Sequence, residues 1–175
     1  MKNPTKGKKT LPKIEIGSYH AGGIVFYIDE TGEHGLVMAP IEGFESLTDE
    51  YESIVCDSPQ WYDYTQWGAM GVDIATTDDG RSNTDLILAA TPGLITAASV
   101  CRDLTLNGYN DWFLPSRSEL DLIYDCRSID MNERGCFWSS EQDYPFHAWL
   151  YDFDSGNYSP WAKSAEFNLL PIRSF

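Results

Sequence analysis

Two strand-like runs near the start of this 175-residue chain and an alternating aromatic run near its end, with helical spacing between them, restrict it to a mixed α and β architecture. Gly22–Ile28 (GGIVFYI) and Gly35–Ala39 (GLVMA) flank the Asp/Thr/Gly-bearing stretch Asp29–His34, the pattern of an early hairpin. Near the other end, Trp149, Tyr151 and Phe153 alternate with Leu150, Asp152 and Asp154, a period of two with one aromatic face. Gly156-Asn157 marks a turn, and Pro171–Phe175 reads as a closing strand that pairs with the first one.

Between these runs the periodicity changes. Asn83 or Thr84 is placed to cap a helix through Asp85–Ala90, which Pro92 ends. Leu94, Ala98, Cys101 and Leu104 share one face of a helix over Leu94–Leu106, with Asn107-Gly108 as its stop. Ser116-Arg-Ser-Glu119 is a capping box, followed by Leu120, Ile123 and Tyr124 on one face. From Pro40 to Gly80, where Trp61, Tyr62, Tyr64 and Trp67 stand close together, the expectation is loops and short elements. The fold expected is α+β, with mixed or antiparallel strands, two amphipathic helices and long loops.

Charge divides the chain at residue 13. Lys2, Lys6, Lys8, Lys9 and Lys13 form a basic arm without an acid, read as a disordered tail over 1–13 ahead of one domain over 14–175. The domain keeps 7 Lys+Arg against 27 Asp+Glu, a net of −20. Such a body repels phosphate backbones and sulfated glycans, so no nucleic acid is expected as partner. The longest apolar runs, Gly22–Ile28 and Leu86–Ala90, are too short for membrane insertion. No apolar stretch follows the first lysines before Ile14, so no Sec signal peptide is read; virion association, or the cell surface by another route, remains open as a location.

Cys56, Cys101, Cys126 and Cys136 are spaced 45, 25 and 10 apart without a CxxC pair, which argues against a zinc ribbon. Reduced core cysteines are the default, with a short-loop Cys126–Cys136 disulfide as the alternative in an oxidising compartment. Asp152-Phe-Asp154-Ser-Gly156-Asn157 has part of the oxygen pattern of a calcium loop, but Lys163 stands where an EF-hand needs its last acid. Solvated carboxylates are the preferred reading, so no cofactor is expected, with calcium the alternative. His20, His34 and His147 are scattered, and neither GxSxG nor HExxH occurs. The expectation is a binding protein, not an enzyme.

A family likeness rests on ordered motifs. Gly22-Gly23-Ile24-Val25-Phe26-Tyr27, His34-Gly35-Leu36-Val37, the run Asn107–Ser116 (NGYNDWFLPS), Glu119-Leu120, Phe137–Glu141 (FWSSE), Ala148-Trp149 and Pro171–Phe175 (PIRSF) occur in this order. Together they resemble the bacterial and viral domain family that includes the C-terminal domain of the Legionella collagen-like adhesin, over nearly all of Ile16–Phe175. The resemblance implies a C-type lectin-like fold. It also implies kinship with the variable proteins of diversity-generating retroelements, viral or microbial, in which a C-terminal stretch is rewritten on a fixed scaffold. Adenine mutagenesis of AAY codons yields Tyr, Phe, His, Leu, Asp, Ser, Asn, Pro or Ala, but not Trp, Lys, Glu, Gln or Met. Asp143–Leu170 is dominated by the permitted set, with Trp149, Trp161, Lys163 and Glu166 standing out as fixed anchors.

The ligand surface is therefore expected in the last forty residues, where eleven of the 24 aromatics fall. Trp138, Trp149, Phe153 and Phe175 are assigned to the core. The ligand-facing candidates are Tyr144, Phe146, His147, Leu150, Asp152, Asp154, Asn157, Tyr158, Ser159 and Trp161. The expected partner is a protein or cell-surface ligand, with oligomeric state left open. A glycan-binding adhesin domain is the alternative, in which Trp and Tyr stack on the sugar; a polyanionic glycan would need basic patches that this body lacks. A formylglycine-generating type of oxidising enzyme, implied by the same fold, is the remote alternative; its GNVWEW signature is missing.

Overall fold

The computed structural model describes residues 13–40, 65–126, 129 and 135–175. The architecture is α+β: three helices and several antiparallel sheets. The basic tail over 1–12, Cys56, and Trp61, Tyr62 and Tyr64 of the turn-rich region lie outside the described residues.

The first sheet joins both ends of the domain. Strands β1 (Tyr19–His20), β2 (Gly23–Ile28), β3 (Gly35–Met38) and β9 (Ile172–Ser174) lie in the order β1-β2-β3-β9. The Asp29 carboxylate accepts from the Thr31 and Gly32 amides at 3.1 and 3.0 Å, shaping the β2–β3 turn, in which Gly32 takes φ +75°. The closing strand pairs with β3, Val37 opposite Arg173, and not with the first strand of the hairpin as its position in sequence implied. The far side of β9 is taken by the NGYNDWFLPS segment, where Phe113 and Ile172 exchange amide-to-carbonyl bonds of 2.8 and 3.0 Å.

That segment is held by Arg173, whose buried guanidinium donates to Asp111 through Nε (2.6 Å) and Nη2 (3.0 Å) and to the Ala21 carbonyl through Nη1 (2.7 Å). The same guanidinium stacks on the Tyr109 ring at 3.9 Å. Gly22 makes this approach feasible: at φ +87°, a Cβ there would stand 2.4 Å from the Tyr109 ring. Asn107 and Gly108 take φ +53° and +83° between two hydrogen bonds linking Leu106 and Tyr109, a two-residue hairpin turn and not a helix stop.

Three helices cover the sheets, at the three places where the sequence suggested them. Helix α1 (Gly80–Ala90) starts earlier than the sequence implied, because Asp79 caps it through the Arg81 and Ser82 amides. Asn83 and Thr84 lie inside it, buried, and bind other segments: Asn83 Nδ2 donates to Ser140 Oγ at 2.9 Å, and Thr84 Oγ1 accepts from the Leu114 amide at 3.0 Å. Helix α2 (Ala97–Asp103) starts later, at a capping box between Thr96 and Ser99, which leaves Leu94 exposed instead of on its buried face. Helix α3 (Arg117–Asp125) has the expected Ser116/Glu119 capping box. No helix among the described residues is long and apolar enough to cross a membrane.

The second sheet, β5 (Cys136–Tyr144), β6 (His147–Asp152) and β7 (Asn157–Ala162) in that order, is covered on both faces. One core cluster packs Phe137, Tyr151 and Phe153 against Leu120, Ile123 and the first sheet; another packs Trp138, Ala148 and Leu150 against Trp67, Ile87 and α2. A small ladder of β4 (Thr65–Gln66) with β8 (Glu166–Phe167) closes the second cluster, and Trp138 Nε1 donates to the Thr65 carbonyl at 2.8 Å.

Arg173→Met is expected to lower the unfolding free energy by roughly 2–3 kcal/mol, less than for a pair whose surviving partner stays buried, because Asp111 is partly exposed. The Arg173 hydrogen bond holds the Asp111 carboxyl below the usual carboxylate range. Its stabilisation is therefore complete above the ordinary aspartate value and fades as pH falls through the lowered one. Urea unfolding of Asp111→Asn between neutral and acid pH should show that part of the acid sensitivity removed.

Candidate functional site

Alternation along β6 sorts the predicted ligand residues between two faces. His147, Trp149 and Tyr151 point one way, Ala148 and Leu150 the other, and each β7 residue shares the face of its partner: Ala162 opposite His147, Pro160 opposite Trp149, Tyr158 opposite Tyr151. On the first face an aromatic stripe runs obliquely over the sheet. The Tyr144 and His147 rings meet at 4.6 Å across the β5–β6 turn, Arg117 lies over the Trp149 ring at 4.8 Å and within 5.6 Å of Tyr158, and Tyr158 packs on Tyr151 at 4.6 Å. Tyr144 is 48% exposed, and His147, Trp149 and Tyr158 are half-buried.

Arg117 is fixed from behind. Its Nε donates to Glu141 Oε2 at 2.8 Å, while its own amide, at the first position of α3, donates to Glu141 Oε1 at the same distance. One nearly buried carboxylate thus ties the helix start to β5 and lays the guanidinium flat on the stripe. Tyr158 is tied as well: its hydroxyl donates to the Arg117 carbonyl at 2.7 Å, and burial pushes its ionisation up, with Asp121 adding to the effect. The His147 ring has its Nδ1 buried without a hydrogen-bond partner among the described residues.

The remaining candidates separate. Phe146, 49% exposed, occupies the β5–β6 turn against Gly71, whose amide donates to the Pro145 carbonyl at 2.9 Å. Trp161, also 49% exposed, lies on the opposite face with Ser159, to which its Nε1 donates at 3.1 Å, and rests on Phe167. Asp152, Asp154 and Asn157 belong to the β6–β7 turn, about 17 Å along the strand from His147 at the usual rise per residue. There Asp152 accepts from the Asp154 amide and the Ser155 hydroxyl, and the hydroxyl bond holds its carboxyl below the usual range. That carboxylate, offered in sequence as a calcium ligand, serves as the cap of its own turn.

Two assignments are corrected. Leu150 is not ligand-facing: it is 1% exposed, inside the second core cluster, because that face of β6 is roofed by Trp67 and the helices. Trp149, assigned to the core, is half-exposed on the stripe, because α3 covers Tyr151 and Phe153 but stops short of it. Phe175 is likewise half-buried, edge-on to His20 at 4.7 Å. Arg117 and Pro160 were missed. The capping box already placed Arg117 first in a helix, but nothing local says that this helix starts over β6.

Lys163, from the stretch read as exchangeable, is fully buried. Its Nζ donates to the Val72 carbonyl at 2.7 Å and to Gln142 Oε1, and lies 4.6 Å from the Trp67 ring centre. Burial pulls its pKa down to about 8. Cys101 and Cys136 are free thiols, so the Cys126–Cys136 link is not made; Cys101 is wholly buried in the core, where desolvation pushes its thiol up. Among the described residues no group of three or more His, Cys, Asp or Glu is placed to hold a metal ion.

Fold and surface together define an α+β domain that presents aromatic side chains from a sheet packed on both faces. A family model for the Lcl C-terminal domain matches residues 49–173. The chain belongs to that family. No curated protein matches it.

Leu150→Ala is expected to cost about 2–5 kcal/mol in chemical unfolding, whereas Trp161→Ala should stay within about 1 kcal/mol of the parent; equal losses would mean that the two faces are misassigned. For Lys163 the folded pKa lies below the unfolded one. From about pH 8 up to the ordinary lysine value, the unfolded chain therefore holds a proton that the folded chain does not, and folding becomes more favourable as pH rises. The stability difference between parent and Lys163→Met, measured by urea unfolding, should shift in the parent's favour across that window.

Proposed function

We propose that the chain is a non-enzymatic recognition domain whose ligand, a protein or other cell-surface molecule, lies against the aromatic stripe of the β5–β6–β7 sheet. The carrying observation is the continuity of Tyr144, His147, Trp149, Arg117 and Tyr158 on one accessible face, with Arg117 immobilised by Glu141. Rigid rings lose little entropy on binding and offer both apolar area and hydrogen-bonding edges. A guanidinium already held in place adds donors at low ordering cost.

The finer reading is a C-type lectin-like variable protein of a diversity-generating retroelement. What supports it is that four residues of the permitted set, Tyr144, Phe146, Asp154 and Asn157, are exposed and that Lys163, outside the set, is buried; Trp161 and Glu166, also outside it, are exposed, and Leu150, Tyr151 and Phe153, inside it, are buried. A near-copy of the Asp143–Leu170 coding stretch beside a reverse transcriptase gene, differing only at adenines, is the expected genomic finding; a complete genome without one removes the retroelement. A glycan is the second reading, favoured by the half-exposed Trp149 ring beside Arg117, which suits stacking on a sugar's apolar face.

A combined protein and glycan array tests the site. Tyr144→Ala and Trp149→Ala should each reduce capture of the best ligand about tenfold or more, the effect of removing an aromatic anchor, while an alanine at exposed Leu94 on the α1–α2 connection leaves it unchanged. Undiminished capture by both aromatic variants moves the site elsewhere.

A further inference from the structure

We infer that the partner of this face is a cationic polypeptide, one that brings lysine or arginine side chains to the aromatic stripe and the carboxylates around it. The inference rests on the recognition reading and adds the partner's chemistry.

The first support is a charge census. The described residues include 18 Asp+Glu and 6 Lys+Arg. Of those six, Arg81, Arg102, Arg117 and Arg173 each contact a carboxylate, and Lys163 is buried. Lys13, far from the stripe in sequence and on its basic arm, is the one that remains. An anionic ligand would therefore find no uncompensated cation on the described face, and the cation nearest to hand, Arg117, is already neutralised by Glu141.

Placement is the second support. Asp143 is exposed beside Tyr144 at one end of the stripe. At the other end, beside buried Tyr151, Asp121 and Asp125 of α3 and Asp154 of the β6–β7 turn are exposed; burial raises the Tyr151 ionisation, and Asp121, Asp125 and Asp152 add to that. No described Lys or Arg pairs with any of these. The exposed Tyr144 ring, in a field of carboxylates that no described Lys or Arg pairs, suits an ammonium or guanidinium group: the ring face attracts the cation, and the carboxylates steer its approach. The same field repels sulfated glycans and nucleic acid.

The test uses the full chain and three probes: a peptide alternating Lys and Ala, its Glu-Ala counterpart, and heparin, each titrated at low and physiological salt. The Lys-Ala peptide should bind, with affinity falling as salt rises, and the other two should not. Tyr144→Ala, which keeps the net charge, should weaken it about fivefold. Asp143→Asn with Asp154→Asn should weaken it further, while Glu30→Gln with Glu33→Gln, an equal charge change on the β2–β3 turn, should not. Equal losses from both double variants, with Tyr144→Ala at parental affinity, would mean diffuse attraction to net charge and overturn the inference. Tyr144-dependent binding of heparin or the Glu-Ala peptide also overturns it while leaving the recognition face standing. Array ligands indifferent to the aromatic substitutions bring down the recognition reading itself.

Discussion

Arg173 sits third from the chain's end with its guanidinium out of water, and a buried cation is tolerated only where its donors are satisfied. Its partners come from separate parts of the sequence: Asp111 and the Tyr109 ring from the NGYNDW loop, and the Ala21 carbonyl from the β1–β2 turn. Each of these brings a demanding local conformation. Ala21 takes φ +48°, Gly22 leaves room for Tyr109, and Asn107-Gly108 turns the chain so that Tyr109 can face back. The guanidinium ties these segments together, and β9 lies between β3 and Phe113.

A second seam transmits that order to the sheet that carries the stripe. The Ser140 amide donates to the Pro115 carbonyl and its hydroxyl oxygen accepts from Asn83 Nδ2, while the Leu114 amide donates to Thr84 within α1. Ser139, through its carbonyl, accepts from the Trp67 indole at 2.7 Å, and its hydroxyl donates to the Trp149 carbonyl. These groups are buried, so each lost partner leaves an unsatisfied polar atom in the core. The WSSE run is thus a junction between β5, α1 and the start of α3. It also sets where α3 begins, and hence where Arg117 falls on Trp149.

Legibility followed the range of the interactions. Ser116 with Glu119, the Asp29 turn and the early hairpin are closed within a few residues, and the sequence displays them. The choice of face on β6 is not local. A period of two shows that the two sides of a strand differ, and it marks the wet side only when one side is uncovered. Here both sides are covered over part of their length, so the aromatic side was taken for core and Leu150 for surface. The burial of Asn83 and Thr84 was hidden for a related reason. Short polar side chains near a helix start read as caps, unless one knows that Ser140 and Leu114 wait across the interface.

The same partition constrains any stretch of this sheet that is open to exchange. Ala148, Leu150, Tyr151 and Phe153 lie between the accessible positions and are buried on one face or the other, and Lys163 closes the far end beneath Trp67. A substitution at one of these alters a packed cluster or strands a buried polar group, whereas Tyr144, Phe146, Asp154 and Asn157 are exposed. Variation on this scaffold must therefore be interleaved, residue by residue, with invariance. The neighbouring strand β5 is held at Ser140 and Glu141 by the Pro115 carbonyl, Asn83 and Arg117, and not by the residues that face outward.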